Sequence, residues 1–370
     1  MIREDFLDVL NFRDAKRLPI VNMGFWHEAM DKWLAEGHIT QEEKDAVIRD
    51  GFRNDVIFRK LGFDFCFLCL FRPADEVWPV FPNDIVERLD DGFIVRRDNA
   101  GVLVKEKPGL SSIPSEVGHT LVDRASWEKE FIPRLRMTDD RYDKKMIEFY
   151  KSPESLEYPR INHTGSAYGY LRNWMGVVGV SMLQYDDPEL FDEMLETVTE
   201  LHCALVKRTY DLGARFDIGH FWEDICFKNG PLVAPEVFAE KCVPYYARVI
   251  EEHKKAGVEL FSVDCDGDID MLVPIWRDAG VSVMFPIEVG TWGGNLLDLR
   301  KKHGRDLRGV GGMDKRVFTA DRTAIDHEIE RLRPMVEDGG FIPCPDHLIT
   351  PDAEWDLICY YTERMNKIFN

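Results

Sequence analysis

RFDIGHFWEDICFKNGPLVAPEVFAEKCVPYYARVIEEHKKAGVELFSVD (215–264) holds one complete unit of the pattern that decides the fold. A short apolar run, RFDIGHF (215–221), leads into a polar loop. A helical stretch follows, APEVFAEKCVPYYARVIEEHKKAG (234–257), with Pro in its first turn and Gly at its end, the usual start and stop punctuation. A second apolar run, ELFSVD (259–264), closes the unit. Working outward, the same kind of run recurs at LPIVNMGF (18–25), FDFCFLCL (63–70), YPRINH (158–163), VSVMFPI (281–287), LRGVGG (307–312) and GFIPC (340–344). Runs that are apolar without strict alternation suit parallel strands covered on both faces. Helical spacing recurs over 188–213, 319–340 and 350–369. Eight strands mostly joined by helices predict an α/β fold, a (β/α)8 TIM barrel forming a single domain over 1–370. A doubly wound open sheet is the rival that periodicity does not separate. Residues 71–150 break the alternation. There VERLDDGFIVRRDNAGVLVKEK (86–107) carries Asp-Asp-Gly and Asp-Asn-Ala-Gly turn signals and predicts a β-meander, an excursion inserted after the second strand, beside the barrel mouth.

Charge narrows the partners. Of 370 residues, 47 are Lys or Arg and 67 are Asp or Glu, a formal net charge of −20. Nucleic acid and an anionic membrane surface both need a basic face, so neither is expected as a partner. The N-terminus, MIREDFLDVLNFRDAKRLPI, has acids where a signal peptide needs a basic and then an apolar stretch, and the longest apolar runs are too short to span a bilayer. A cytoplasmic protein is expected. Eight Cys are too few for a disulfide scaffold, and in a reducing compartment they are free thiols or ligands.

In a parallel barrel the reactive groups sit on loops leaving the C-terminal strand ends. Here those loops offer Trp26, His27 and Glu28; Arg72; His163; Trp222, Glu223 and Asp224; Asp264, Asp266 and Asp268; Glu288; Asp314, Lys315 and Arg316; and Asp346 and His347. The sharpest local sequence is SVDCDGDID (262–270). With a two-residue period, Asp264 and Asp266 point to one side and Cys265 to the other. Two carboxylates that close repel unless a cation or proton intervenes. Asp268 also reads as a helix cap. The EF-hand reading fails, since Gly comes at the fourth loop position and the twelfth is Ile275. In IPCPDHLITPD (342–352), Cys344 reads as a buried apolar residue and His347 as a functional imidazole beside Asp346. Cys66 and Cys69 read as strand core rather than a redox pair. His163 opens NHTGSAYGYLRNWMG, where Gly165 and Gly169 would let a ligand approach the backbone, and Arg172 would pair with a substrate carboxylate or with a nearby acid. In GGMDK (311–315), Lys315 suits an anion or a substrate oxygen.

These motifs together resemble the uroporphyrinogen decarboxylase superfamily, which holds heme-pathway decarboxylases and corrinoid-linked methyltransferases. The resemblance is carried by LPIVNMGFWHEAMDKWLAEG (18–37), YGYLRNWMG (168–176), FWEDICFKNGPLVAPEVF (221–238), VDCDGDIDMLVPIWRDAGV (263–281), PIEVGTWGGNLLDLRKKHG (286–304), GVGGMDKR (309–316) and GGFIPCPDHLITPD (339–352). The superfamily fold implied is a (β/α)8 barrel. True decarboxylases carry an arginine-bearing element after the first strand, where this chain reads GFWHEAMDKW. A tetra-acid porphyrinogen would lack its counter-charges there. The likeness therefore implies the methyltransferase-like branch. Its zinc enzymes hold metal with His-x-Cys before a Gly after strand five, and with Cys or His after strand eight. Aligned on Gly267, those positions are Asp264 and Asp266, and the last is His347.

Asp, Asp and His are harder ligands for zinc or another divalent metal. The expectation is a metal held by Asp264, Asp266 and His347, with Glu223, Glu288, Lys315 and His347 in catalytic roles. Trp26, His163, Arg172, Trp222 and Lys315 would contact substrate, with Phe25, Trp26, Trp174 and Trp222 walling the cavity. The substrate would be a small, methoxylated or hydroxylated molecule. The partner implied is a separate corrinoid protein docked over the barrel mouth, and a homodimer is left open. The alternatives are a lyase acting on a small carboxylated substrate, with Asp266 or His347 as the acid/base group, and a non-catalytic ligand-binding barrel.

Overall fold

The computed structural model describes residues 2–90, 92–108 and 114–370. All eight expected strands form: β1 (Val21–Asn22), β2 (Phe65–Cys66), β7 (Ile161–His163), β8 (Ile218–Trp222), β11 (Leu260–Asp264), β12 (Val283–Ile287), β13 (Arg308–Met313) and β14 (Phe341–Pro345). Six pair in parallel in the order β14-β13-β12-β11-β8-β7, and β1 pairs with β2 in parallel as a separate ribbon. Single bridges join the two sheets at Phe25 with Ile349 and at Phe71 with Asn162. The expected ring is thus not closed by a continuous ladder, and the architecture is a parallel α/β sheet with two one-bridge seams. The cause is local. Gly24, at φ 109°, ends β1, and after Cys66 the chain turns, with Cys69 N–H donating to Cys66 O at 3.0 Å.

One apolar cluster takes a side chain from each of the eight strands: Val21, Phe65, Ile161, Ile218, Leu260, Val283, Val310 and Ile342. The helix Ile2–Leu10 adds Phe6 and Leu10 to it, both fully buried. A larger apolar cluster lies between strands and helices. Between β2 and β7 the chain forms a four-stranded antiparallel sheet of β3 (Ile85–Arg88), β4 (Ile94–Arg97), β5 (Val102–Glu106) and β6 (Ser115–His119), in that order. The Asp-Asp-Gly turn between β3 and β4 includes Asp91, which lies outside the described residues. A two-residue hairpin, β9 (Cys226–Phe227) with β10 (Gly230–Pro231), follows β8.

The helix expected over 234–257 is two, Pro235–Lys241 and Val243–Lys254. Pro244 lacks an N–H, and its ring opposes the carbonyl four residues back. Helices Pro188–Asp211, Arg322–Glu337 and Trp355–Phe369 match their expected spans within a few residues. Among the described residues no helix is long and apolar enough to cross a membrane.

Candidate active site

Strand register builds the site. His163 of β7, His220 of β8 and Ser262 of β11 are Cα partners in one row, and Trp222 pairs with Asp264 one layer further along. A cavity of about 430 Å³ opens there, lined by Arg72, Glu76, His163, His220, Trp222 and Asp264, with Leu68, Leu70 and Asn173 completing it. His220 Nδ1 lies 2.8 Å from Ser262 Oγ, and its Nε2 is 4.0 Å from Asp264 Oδ2. Burial, with His163 and Arg72 nearby, holds the His220 imidazole well below its ordinary range, so the ring is neutral.

Three carboxylates meet at the edge of this cavity. Asp224, Asp264 and Asp266 each offer an oxygen, and the three oxygens lie within 4.8 Å of one another. The loop after β8 brings Asp224 in with a left-handed backbone, φ 49°, a conformation that costs free energy outside glycine and clusters at functional sites. Asp266 N–H donates to Asp224 Oδ1 at 3.1 Å, which locks the two loops together. Burial and the charges of Asp224 and Asp266 push the Asp264 carboxyl well up. Burial and Asp266 push Asp224 to about 6. Asp266 Oδ1 is buried and has no hydrogen-bond partner among the described residues. Crowded carboxylates with an unsatisfied oxygen fit a hard divalent cation.

His347 stands beside this group but not within it. Its Nε2 is 3.5 Å from Asp266 Oδ2, while its Nδ1 accepts the Leu348 N–H at 2.8 Å. With Nδ1 accepting, a neutral ring carries its proton on Nε2, the nitrogen nearer Asp266, and offers no lone pair there. Asp224 thus occupies the third place among the clustered oxygens that the sequence reading gave to His347.

The other expected residues fall into three sets. Glu288 and Lys315 are near the cluster. Glu288 accepts from Gly267 N at 2.7 Å and Thr291 Oγ1 at 2.6 Å, and so fixes the loop that carries Asp266. Lys315 is half-buried; burial lowers its ammonium, while Asp346, Glu288 and Asp266 pull it back. Arg172 and Trp222 form a second set, with the guanidinium 5.7 Å from the indole centre and its charge acting on Asp224. Glu223 and Trp26 lie apart. Glu223 is fully buried and accepts from Ser166 Oγ, the N–H groups of Ala167, Tyr168 and Gly169, and Tyr246 OH. It anchors the N-terminus of the helix Tyr168–Asp186, a place that favours a carboxylate. Trp26 sits on the Gly24–Ile349 seam, its N–H bonded to Ile349 O.

Three further expectations change. Phe25 and Trp174 are core, packed on Trp33 and Phe131 respectively, so Trp222 alone of the four named aromatics lines the cavity. Gly165 and Gly169 make room for protein instead of ligand. A Cβ at Gly165 would fall 2.2 Å from the His202 ring, and one at Gly169 would fall 2.3 Å from Glu223 O. Asp268 accepts from Asp270 N–H at 3.1 Å in a turn, and the helix begins only at Val273. Cys344 and Cys265 are buried, with burial pushing both thiols well up, which suits core sulfur.

Sequence reasoning passed over Asp75, three residues beyond Arg72. It is 3% exposed. Its Oδ1 accepts from Arg72 Nε at 2.9 Å and its Oδ2 from Tyr170 OH at 2.6 Å, and His163 Nδ1 lies 2.7 Å from that Oδ2. Burial alone would raise this carboxyl, but Arg72 and His163 outweigh it and hold it well below the usual range.

Fold and site together define a parallel α/β protein with a polar cavity at the carboxyl ends of its strands, where folds of this class bind their ligands. The family model for uroporphyrinogen decarboxylase (URO-D) matches residues 146–367, and the chain belongs to that family. Among solved structures it is similar to a methyltransferase from Methanosarcina mazei, at 13% identity and a TM-score of 0.59, covering 99% of this chain and 98% of that one; this likeness is one of fold. A B12-independent methionine synthase from Shewanella sp. W3-18-1 is a weaker likeness, at 12% identity and a TM-score of 0.49 over 95% of this chain and 98% of that one. No curated protein matches the sequence.

Proposed function

We propose that the chain is a metal-dependent methyltransferase acting on a small hydroxylated or methoxylated substrate, with a corrinoid protein as the methyl-exchange partner. The observation that carries this is the cluster of Asp224, Asp264 and Asp266, whose crowded oxygens include the buried, unpartnered Oδ1 of Asp266. The methyltransferase of the same fold supports the reaction class. Porphyrinogen decarboxylation is disfavoured because GFWHEAMDKW (24–33) offers no arginine to substrate carboxylates. The eight strands are taken to form a (β/α)8 barrel over 1–370, with 71–150 as an inserted excursion beside its mouth.

In this reading Asp224, Asp264 and Asp266 hold zinc or another divalent ion, which supplies Lewis-acid polarisation of a substrate oxygen. Arg172 and Lys315 orient the substrate, and Trp222 and His163 wall it. Glu288 keeps the Asp266 loop in place through Gly267. His347 stands 3.5 Å from Asp266 Oδ2, beside the ion site, and the corrinoid partner docks over the cavity.

Calorimetric titration of the chelator-stripped chain with Zn²⁺ and Mn²⁺ tests the site. One equivalent should bind per chain. Loss of hydrogen-bonding partners behind a ligand costs about 10–100-fold in metal affinity, so removing a ligand outright in Asp266→Ala should cost about 100-fold or more. Absence of binding, or equal binding by Asp266→Ala and Asp224→Asn, overturns the proposal. A methoxylated aromatic incubated with the loaded chain and cob(I)alamin should give the methylcobalamin spectrum.

A further inference from the structure

We propose that His163 is a catalytic base of the mouth cavity, oriented by Asp75, and that the substrate presents an O–H or S–H group to its Nε2. This rests on the cavity being the substrate site, as above, but not on the metal. An ionised carboxylate only accepts hydrogen bonds, so the 2.7 Å contact from His163 Nδ1 to Asp75 Oδ2 requires the proton on Nδ1. Gly165 N–H points at the same nitrogen at 3.3 Å, so the two contacts compete for Nδ1; unlike at His347, a carboxylate faces this nitrogen, and the shorter, charge-assisted contact decides the tautomer. A neutral ring has one proton, so Nε2 keeps its lone pair. Burial and the Arg72 charge hold the imidazole below its ordinary range, with Asp75 opposing them, and the ring stays neutral.

His163 lines the cavity, and among the described residues its Nε2 has no hydrogen-bond partner. The titratable groups that face it are Asp75, Arg72 with Glu76 beside it, Tyr170, His202 and His220, whose ring centre is 6.1 Å away. Arg72 is tied to Asp75 and Glu76, and Tyr170 to Asp75, so none of them competes for Nε2.

The step is a proton transfer. The substrate proton moves to Nε2, the electron pair of the broken bond stays on oxygen or sulfur, and the imidazolium that forms is stabilised by the Asp75 carboxylate. Asp75 is a positioning residue. A neutral base poised in the resting protein selects a substrate that arrives protonated, which in a methyl transfer is the acceptor. A purely structural tie between the Arg72–Glu76 loop and β7 would leave Nε2 no role.

Two measurements on the metal-stripped full chain test this, so failure here is separable from failure of metal binding. In ¹⁵N-histidine spectra at pH 7 to 8, His163 should be the neutral Nδ1–H tautomer; an Nε2–H tautomer or an imidazolium at pH 7 overturns the proposal. p-Nitrophenol serves as an O–H probe. Bound to the wild type, it should show phenolate absorbance below the pH at which the free phenol ionises. His163→Gln should bind it as the neutral phenol, and Asp75→Asn should move the onset toward that of free phenol. Exclusion of the probe, or identical profiles in wild type and His163→Gln, overturns the proposal.

Discussion

Asp224, Asp264 and Asp266 are held close enough that at least one proton or cation must sit among them. With Asp264 pushed well up and Asp224 at about 6, the ligand-free cluster carries protons that an entering ion must displace. The sign follows: below pH 6 the Asp224 proton competes with the ion, so metal affinity should rise as pH increases from 5 to 7.5. Calorimetry in buffers of different ionisation enthalpy should show net proton release, and affinity that is flat across this range would contradict it. His202 titrates in the opposite sense. Burial lowers it from the ordinary 6.5 to about 4, so it stays neutral in the fold while the unfolded chain protonates. Its contribution to stability is complete above pH 6.5 and is lost as pH falls toward 4, up to about 3 kcal/mol at 1.36 kcal/mol per unit. Urea denaturation at pH 7 and pH 4.5 should show a smaller difference for His202→Gln than for the wild type. Asp264 and Asp266 could be read from SVDCDGDID because both lie at one strand end. Asp224 and Asp75 could not be singled out, because their partners are far along the chain: Asp266 for the first, and His163 and Tyr170 for the second. Glu223 looked reactive for the same reason in reverse. Its five donors come from residues 166–169 and 246, and no local pattern reports that they enclose it.

At the level of elements, the helix Tyr168–Asp186 shows why a glycine can signal packing instead of ligand access. Its N-terminus rests on Glu223, and the approach is close enough that a Cβ at Gly169 would meet Glu223 O at 2.3 Å and Ser166 Oγ at 2.5 Å. The backbone carbonyl cannot rotate away, so Gly169→Ala must shift the helix. Overpacking of this kind costs about 1–3 kcal/mol. The expected result is a lower urea midpoint with unchanged slope, whereas a midpoint within error of wild type would mean that the helix end is not held by Glu223. The eight strands and most helices were legible because parallel strands and amphipathic helices leave their period in the sequence. Pairing length was not: β1 and β2 pair over only two residues each, though the apolar runs that contain them are eight long. Beyond Cys66 the run continues as a turn, so the two-residue period never reached Cys69.

For the molecule as a whole, the eight strands share one interior while the hydrogen-bond ladder is interrupted twice. β8 and β11 pair over five residues, but each seam relies on one bridge: Trp26 and Ile349 N–H groups at one, Phe71 and His163 N–H groups at the other. Apolar burial holds the β1–β2 ribbon in place, with Phe6 packed on Phe65 at 5.3 Å and Phe67 at 6.2 Å. Burial is indifferent to register, whereas ladder bonds resist local opening, so the ribbon should open at lower free energy than the six-stranded sheet. Native-state hydrogen exchange reads this directly. Amides of Trp26, Phe71, His163 and Ile349 should exchange faster than those of Phe221 and Val263 in the paired centre, and Phe6→Ala, a loss of about 3–5 kcal/mol for a buried phenylalanine, should widen the gap. The consequence reaches the site, because the Phe71 seam leads straight into Arg72 and Asp75. If the seam amides prove as protected as the central ones, the interruption in pairing has no energetic meaning. If they exchange first, the wall that carries Asp75 is the part of the cavity best able to move when a substrate or a partner protein arrives.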